Sequence, residues 1–161
     1  MFKQFVRCGI PFIVIFLLLY GLYQAAEPYL IHYFSWLASS VCYVAGLFDS
    51  GVYCEANVIH YNNQPSLRVI EGCDGVTVFI LITAAVLAFP KGLKDKIKGI
   101  AILLPILFII NWLRLLTLAG IRFYFPDAFR LFHVYLFQPI MIFATFACFI
   151  IWITRDEAQQ D

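Results

Sequence analysis

The sequence predicts an all-α integral membrane protein with about four transmembrane helices, an extracytoplasmic amphipathic helix and a short β-hairpin. Of its 161 residues, 63% are hydrophobic and only 13% are charged, whereas about a quarter of the residues in a soluble domain carry a charge. The mean hydropathy is +0.86. The chain is too short for the large repeat-built transporter folds, and its net charge of +1 gives no sign of a nucleic-acid partner.

The hydrophobic runs divide a single membrane-embedded domain, residues 1–161, into five segments. We expect a first span (1–27), an amphipathic interfacial helix (28–50), an extracytoplasmic hairpin (51–71), a three-span core (72–154) and a cytoplasmic tail (155–161).

The first apolar run follows a basic start, as it would in a signal peptide. Lys3 and Arg7 precede a run from Ile10 to Ala26, and about 17 residues are enough for a short span. The end of the run, Gln24 to Pro28, contains no clear Ala-x-Ala cleavage site. We therefore interpret it as a retained span with a cytoplasmic N-terminus.

The segment from Tyr29 to Phe48 has the pattern of a helix that lies in the membrane interface. Apolar residues recur at three- and four-residue steps and form one stripe: Leu30, Phe34, Leu37, Val41, Val44 and Phe48. Polar residues occupy much of the remaining surface: His32, Ser35, Ser39 and Ser40. A second membrane span is the competing interpretation of this segment.

The long polar segment from Asp49 to Ile70 predicts a β-hairpin. Two runs, Val58–Tyr61 and Ser66–Ile70, flank the sequence Asn62-Asn63-Gln64-Pro65, which is typical of two short strands and a turn. The hairpin would lie directly before Cys73 in the chain.

Lysine placement sets the predicted topology. The loop from Pro90 to Gly99 carries four lysines against one aspartate, which marks it as cytoplasmic. Further spans follow at about 100–121 and 131–153. Because the N-terminus and this loop both lie inside, an odd number of crossings must separate Arg7 from Cys73. One span followed by an interfacial helix satisfies that condition, which gives four spans with both termini in the cytoplasm.

Cys73 lies in an unusual setting for a cysteine. It stands in the polar pentapeptide Glu71-Gly72-Cys73-Asp74-Gly75 at the start of an apolar run, whereas buried structural cysteines behave as small hydrophobes among apolar neighbours. Water, charge and a helix N-terminus at one place favour the nucleophilic thiolate. The alternative is a packed, inert thiol at the start of a helix.

Two more polar residues are expected at the same depth. Arg114 lies about 15 residues, or roughly 22 Å, along the outward span, and His133 opens the last span. An arginine inside a membrane helix costs about 2.5 to 3.5 kcal/mol, so Arg114 should face a polar interior, with Asn111 and Thr117 on its face of the helix. The alternatives are an arginine that snorkels to the headgroups and an ordinary interfacial histidine.

Other site chemistries lack their motifs. No pair of histidines or cysteines has metal-ligand spacing, so we expect no metal site. The sequence contains no Gly-x-Ser-x-Gly elbow and no phosphate-binding loop, and we expect no cofactor.

Together these residues resemble the exosortase/archaeosortase family. A cysteine in a Cys-x-Gly context opens a span (Cys73-Asp74-Gly75), an arginine lies in Asn-x-x-Arg within the next span (Asn111 to Arg114), and His133 heads the following one. The resemblance covers roughly Tyr29 to Trp152 and is closest to the short, single-domain exosortase H type. Many members are longer, and serine or asparagine is common where this chain has Asp74. A carboxylate there disfavours the thiolate unless a cation such as Arg114 offsets it.

The resemblance implies a membrane-embedded, sortase-like cysteine peptidase or transpeptidase of the bacterial inner membrane, with an extracytoplasmic active site. Cys73 would attack the scissile carbonyl, Arg114 would stabilise the oxyanion and His133 would move protons. Three further residues are expected to support the site: Asn111, Asp74 and Gly75. The partners would be membrane lipid and exported proteins with a C-terminal motif, a transmembrane helix and a basic cluster.

Two other functions are compatible with the sequence. A small membrane scaffold or transporter subunit would leave Cys73 inert and pair Arg114 with a partner helix. A membrane thiol-redox protein would use Cys42, Cys54 and Cys73, and would contain a Cys42–Cys54 or Cys54–Cys73 disulfide. A purely structural Cys42–Cys54 bridge is compatible with the peptidase interpretation. Because the chain has five cysteines, at least one is unpaired in a monomer.

Overall fold

The computed structural model describes residues 2–70 and 72–155, with side chains from Cys8 onward. Within this part the chain forms, in order, α1 (Phe2–Ala26), α2 (Ile31–Gly46), β1 (Val52–Glu55), β2 (Val58–Tyr61), β3 (Gln64–Arg68), α3 (Val76–Ala88), α4 (Leu93–Tyr124) and α5 (Gln138–Arg155). Short 3₁₀ turns occupy Glu27–Tyr29 and Pro126–Ala128, and a π-helical segment, Leu131–Phe137, leads into α5. Glu71 and the predicted tail beyond Arg155 lie outside the described residues.

The predicted all-α membrane fold with a small β element is confirmed. Three helical stretches of the described chain are long and apolar enough to cross a membrane: Cys8–Tyr29, Leu93–Tyr124 and Pro126–Arg155. The first helix of the predicted three-span core (72–154), which was expected to begin at residue 72, covers only the 13 residues of α3 and reaches about 20 Å. This helix is shorter than expected because Gly72 and Gly75, at φ +83° and +81°, turn the chain before Val76.

The short helix α3 lies at the centre of the bundle, where it packs against α1, α4 and α5. Its sequence is apolar on every side, as is usual for a helix surrounded by others. Ile82 and Val86 of α3 pack in one cluster with Leu103 and Leu107 of α4 and with Trp152 of α5. This cluster forms the core at the end of the bundle that carries the lysine loop.

A second cluster forms the core at the opposite end. The helix α2 packs against β1 and α4, and its buried residues include Phe34, Leu37 and Val41. These belong to the predicted apolar stripe, although Phe48 lies beyond the helix and is 87% exposed. At 16 residues, α2 is not among the helical stretches long enough to span a membrane.

The predicted hairpin is present, but the sheet has a third strand. The strands pair antiparallel in the order β1-β2-β3. Asn62 and Asn63, at φ 50° and 63°, form the turn between β2 and β3, since two-residue hairpin turns favour asparagine with positive φ. Gln64 and Pro65, which were predicted in the turn, instead belong to β3 and pair with β2. The strand β1 was missed because its turn to β2 places Ala56 at φ 52°, where a glycine or asparagine signal would be expected.

A disulfide joins Cys42 of α2 to Cys54 of β1, with Cα atoms 6.0 Å apart. The bridge leaves Cys8, Cys73 and Cys148 as free thiols. It holds the sheet against α2 at the end of the bundle where Cys73 lies.

The lysine loop caps two helices at the other end. Lys96 Nζ donates to Leu87 O at 2.6 Å, and Lys91 Nζ donates to Ile153 O at 3.1 Å while lying 4.6 Å from the centre of the Trp152 ring. Cations stabilise the partial negative charge at a helix C-terminus. These lysines therefore stabilise the ends of α3 and α5.

We predict that Cys42→Ser will reduce stability without removing the fold. The bridge closes a loop of sequence separation 12, and losing it should lower the free energy of unfolding by about 3 kcal/mol. Thermal unfolding of the purified protein, with and without reductant, measures this. Peptide mapping under non-reducing conditions that found Cys54 bridged to Cys73 would contradict the assignment.

Candidate active site

The loop before α3 is shaped by two glycines that flank Cys73 and Asp74. Gly72 and Gly75 both have φ near +80°, a conformation that glycine adopts without steric penalty. The two turns place Cys73 in a half-buried position and bury Asp74 completely. Cys73 therefore lies three residues before the first helical residue, rather than in the helix itself.

Asn111 of α4 connects this loop to Arg114. Its Nδ2 donates to the main-chain oxygen of Cys73 at 3.3 Å, and its Oδ1 accepts a hydrogen bond from Arg114 Nη1 at 3.1 Å. Asn111 also packs so closely on Gly75 that a Cβ at that position would lie 2.7 Å from the amide group. A single buried amide thus positions both the cysteine loop and the guanidinium group.

Arg114 is buried, with a relative exposure of 5%. The snorkelling alternative is therefore wrong, because the side chain does not reach the surface. Within the described residues, Nε and Nη2 are buried and have no hydrogen-bond partner. The sequence predicted that Thr117 would face the same polar interior. That prediction is wrong, because Thr117 is exposed and its hydroxyl donates to Leu113 O. The guanidinium group therefore has two donors without an acceptor.

The Cys73 thiol does not meet the expectation of a stabilised thiolate. Burial raises its pKa, and the nearby charge of Asp74 acts in the same direction, while Arg114 opposes both by lowering it. The predicted conflict between Asp74 and Arg114 over the thiolate is thus present. At rest the group is a protonated thiol, and a reaction at sulfur needs a base or a substrate-induced change.

Asp74 is held by two tyrosines that sequence reasoning missed. Tyr23 of α1 donates to Asp74 Oδ2 at 2.7 Å, and Tyr33 of α2 donates to the main-chain oxygen at 3.0 Å. Burial, followed by the charge of Asp74, raises the pKa of Tyr33 to about 12, so this hydroxyl remains a donor. Burial also raises the pKa of Asp74, and the Tyr23 hydrogen bond acts in the opposite direction.

The hydrogen bond from Tyr23 to Asp74 attaches α1 to the site. Tyr23 is 5% exposed and is the only buried residue among the described side chains of α1, whose other residues are exposed or partly buried. No sequence signal separated this tyrosine from ordinary interfacial tyrosines, because its partner lies 51 residues away.

His133 lies in the π-helical segment that precedes α5. Its ring stacks on Phe129 with centroids 5.4 Å apart, and within the described residues its buried Nδ1 has no hydrogen-bond partner. Arg114 interacts electrostatically with both His133 and Cys73. Local π-helical turns are frequent at functional sites. Arg114 thus acts on each of the other two predicted residues, whereas within the described residues no hydrogen bond joins Cys73 to His133.

The described residues contain no group of three or more histidines, cysteines or carboxylates that could hold a metal ion. The groups that hydrogen bonds connect at the site are the Cys73 main chain, the Asn111 amide and the Arg114 guanidinium group, and the Asp74 carboxyl group lies next to Cys73 in the chain.

The fold and site define a membrane protein with a buried arginine beside a free thiol. A family model described as transmembrane exosortase, of the EpsH type, matches residues 2–153. The chain therefore belongs to the transmembrane exosortase family, as its motifs indicated. No curated protein and no solved structure matches the chain.

We predict that Gly75→Ala will be more damaging than Gly72→Ala. Both positions have positive φ, but an added Cβ meets the Asn111 amide only at position 75 and finds open space at position 72. Each variant should lose about 1 to 2 kcal/mol for the backbone conformation, and Gly75→Ala a further 1 to 3 kcal/mol from overpacking. Thermal unfolding of the pair measures the difference, and equal losses would refute the close contact.

We also predict opposite shifts in the pH dependence of Cys73 alkylation. In a Cys8→Ser/Cys148→Ser background, iodoacetamide reports on Cys73 because Cys42 and Cys54 are bridged. The apparent pKa should exceed the usual 8.5 of a thiol, rise further in Arg114→Gln and fall in Asp74→Asn. Superimposable curves for the three proteins would show that neither charge acts on the sulfur.

Proposed function

We propose that the protein is a membrane-embedded, sortase-like cysteine peptidase or transpeptidase that removes the C-terminal tail of exported proteins. Family membership supports the class. The observation that carries the proposal is the buried Arg114, which acts electrostatically on the Cys73 thiol and keeps two donors unpartnered within the described residues. Such donors suit a negative charge that exists only during the reaction.

The first step is attack of Cys73 Sγ on the scissile carbonyl carbon. A C–S bond forms, and the carbonyl electron pair moves to oxygen, where Arg114 Nε or Nη2 donates to the oxyanion. Preorganised donors of this kind contribute about 3 to 4 kcal/mol in acyl transfer. Asn111 acts as a positioning residue because it holds both the guanidinium group and the Cys73 main chain.

His133 moves the protons. It accepts the thiol proton as sulfur attacks and delivers it to the leaving amine when the C–N bond breaks, which leaves a thioester on Cys73. In the second step water or an amine attacks the thioester and transfers a proton to His133, and the proton returns to sulfur. The raised pKa of Cys73 makes such a base necessary.

The orientation proposed from the sequence has two supports. The Cys42–Cys54 disulfide lies at the end of the bundle that carries Cys73, and disulfides persist on the oxidising side of a membrane. The lysine loop lies at the opposite end, as expected for the cytoplasmic side. We therefore propose an active site at the extracytoplasmic surface of the bacterial inner membrane.

The disulfide also bears on the redox alternative. It pairs Cys42 with Cys54 and leaves Cys73 as a free thiol, which favours a nucleophile over a redox couple. The scaffold alternative gives no role to a free thiol beside a buried arginine.

We predict that three substitutions will each stop or strongly slow the processing of a tail-bearing exported substrate from the same genome. Cys73→Ala should abolish cleavage, Arg114→Ala should slow it about 10²- to 10³-fold, and His133→Ala about 10²- to 10⁴-fold. Loss of the substrate's C-terminal helix is followed on gels, with the amount of each variant in the membrane measured in parallel.

Cys148→Ala is the matched control, since Cys148 is a free cysteine on the α5 helix. It should process substrate at the wild-type rate. Undiminished cleavage by Cys73→Ala would overturn the proposal and favour the scaffold alternative.

A further inference from the structure

A crevice of about 340 Å³ opens between α4 and α5 at the end of the bundle that carries the lysine loop. Its inner wall is apolar and is formed by residues of both helices: Ile102, Leu103, Ile106, Ile151 and Trp152. Its mouth is charged, with Lys98 and Arg155 on opposite helices and Asp95 beside them. The crevice is therefore apolar within and cationic at its rim.

The two cations at the mouth, Lys98 and Arg155, differ from Lys91 and Lys96 in their hydrogen bonding. Lys91 and Lys96 donate to main-chain oxygens at the ends of α5 and α3. Lys98 and Arg155 are exposed, and neither forms a hydrogen bond or an ion pair with another residue in the described ranges. Among the described residues that line the opening, two positive charges thus face one carboxylate, Asp95.

The apolar wall extends from the charged mouth along α4. Ile106 lies eight residues beyond Lys98 on α4, or about 12 Å along the helix. Ile102 and Ile151, which line this path, are 50% and 55% exposed. A ligand that fits must carry an anionic group at one end and a hydrocarbon chain at the other.

We propose that this crevice binds an anionic phospholipid, with its phosphate between Lys98 and Arg155 and an acyl chain along Ile102 and Ile106. Basic pockets between transmembrane helices are suited to anionic headgroups. The bound lipid joins α4, which carries Arg114, to α5, whose preceding segment carries His133. The proposal concerns a surface distant from Cys73 and does not depend on the proposed peptidase activity.

The test uses the purified full chain in a neutral detergent and three probes. Phosphatidylglycerol is the ligand, phosphatidylcholine of the same acyl chains tests the headgroup charge, and inorganic phosphate tests the anion without a chain. Native mass spectrometry counts retained lipid, and the thermal midpoint reports binding. We expect phosphatidylglycerol to stay bound and to raise the midpoint, and the other two to have little effect.

The variants identify the site. Lys98→Gln and Arg155→Gln should each weaken phosphatidylglycerol binding about fivefold, and the double variant about 30-fold. Asp95→Asn should strengthen binding, because it removes a negative charge that lines the mouth. Lys94→Gln is the matched control, since Lys94 lies at the same end of α4 as Lys98 but does not line the crevice.

Three outcomes would overturn the proposal. An equal loss in Lys94→Gln would mean that lipid senses only the overall basic charge of the loop. Equal retention of phosphatidylcholine would remove the role of the two cations. A midpoint shift produced by inorganic phosphate alone would mean an anion site without a lipid chain.

Discussion

Burial of a charged guanidinium group among apolar helices is the constraint on which the rest of the structure depends. Arg114 lies on α4 between the two apolar clusters of the fold, with Leu107 packed in one and Leu115 in the other. A buried charge is unfavourable unless hydrogen bonds and nearby charges compensate it. Asn111 supplies one hydrogen bond, and the thiol and carboxyl groups of Cys73 and Asp74 supply favourable electrostatic interactions when ionised. These interactions hold the loop before α3 against α4.

The loop geometry follows from that requirement. Asn111 can reach the Cys73 main chain only because position 75 has no side chain, and α3 starts late because the two glycines turn the chain first. Tyr23 and Tyr33 then fasten α1 and α2 to Asp74. Four helices thus converge on one polar layer. Among the described residues, the buried atoms of this layer without a hydrogen-bond partner are Arg114 Nε and Nη2, Asp74 Oδ1 and His133 Nδ1. Buried polar atoms of this kind are uncommon and call for an explanation.

The sequence alone identified the site residues that are polar and lie in or beside apolar segments. Arg114 and Asn111 stand out in an apolar run, and Cys73 in the polar pentapeptide before one. Helical spacing named Asn111 and Thr117 as candidate neighbours of Arg114, and the structure pairs it with Asn111. Tyr23 and Tyr33 could not be found in this way, because tyrosine is common at membrane interfaces and their partner is distant in the chain. The state of the thiol was also mispredicted, since burial of Cys73 depends on how α3 and α4 pack rather than on its neighbours in sequence. The strand β1 was likewise missed, because the turn that follows it has an alanine, Ala56, at a position with positive φ.

The most direct test of the account is mass spectrometry of Cys73 during turnover. Wild-type protein mixed with a tail-bearing substrate and quenched rapidly in acid should carry the substrate's upstream fragment on Cys73, as a thioester that hydroxylamine releases. The same adduct should be absent from Arg114→Ala, because attack needs a stabilised oxyanion. Loss of the substrate tail with Cys73 always unmodified, or an adduct formed equally by Arg114→Ala, would contradict the role given to the buried arginine and the thiol beside it.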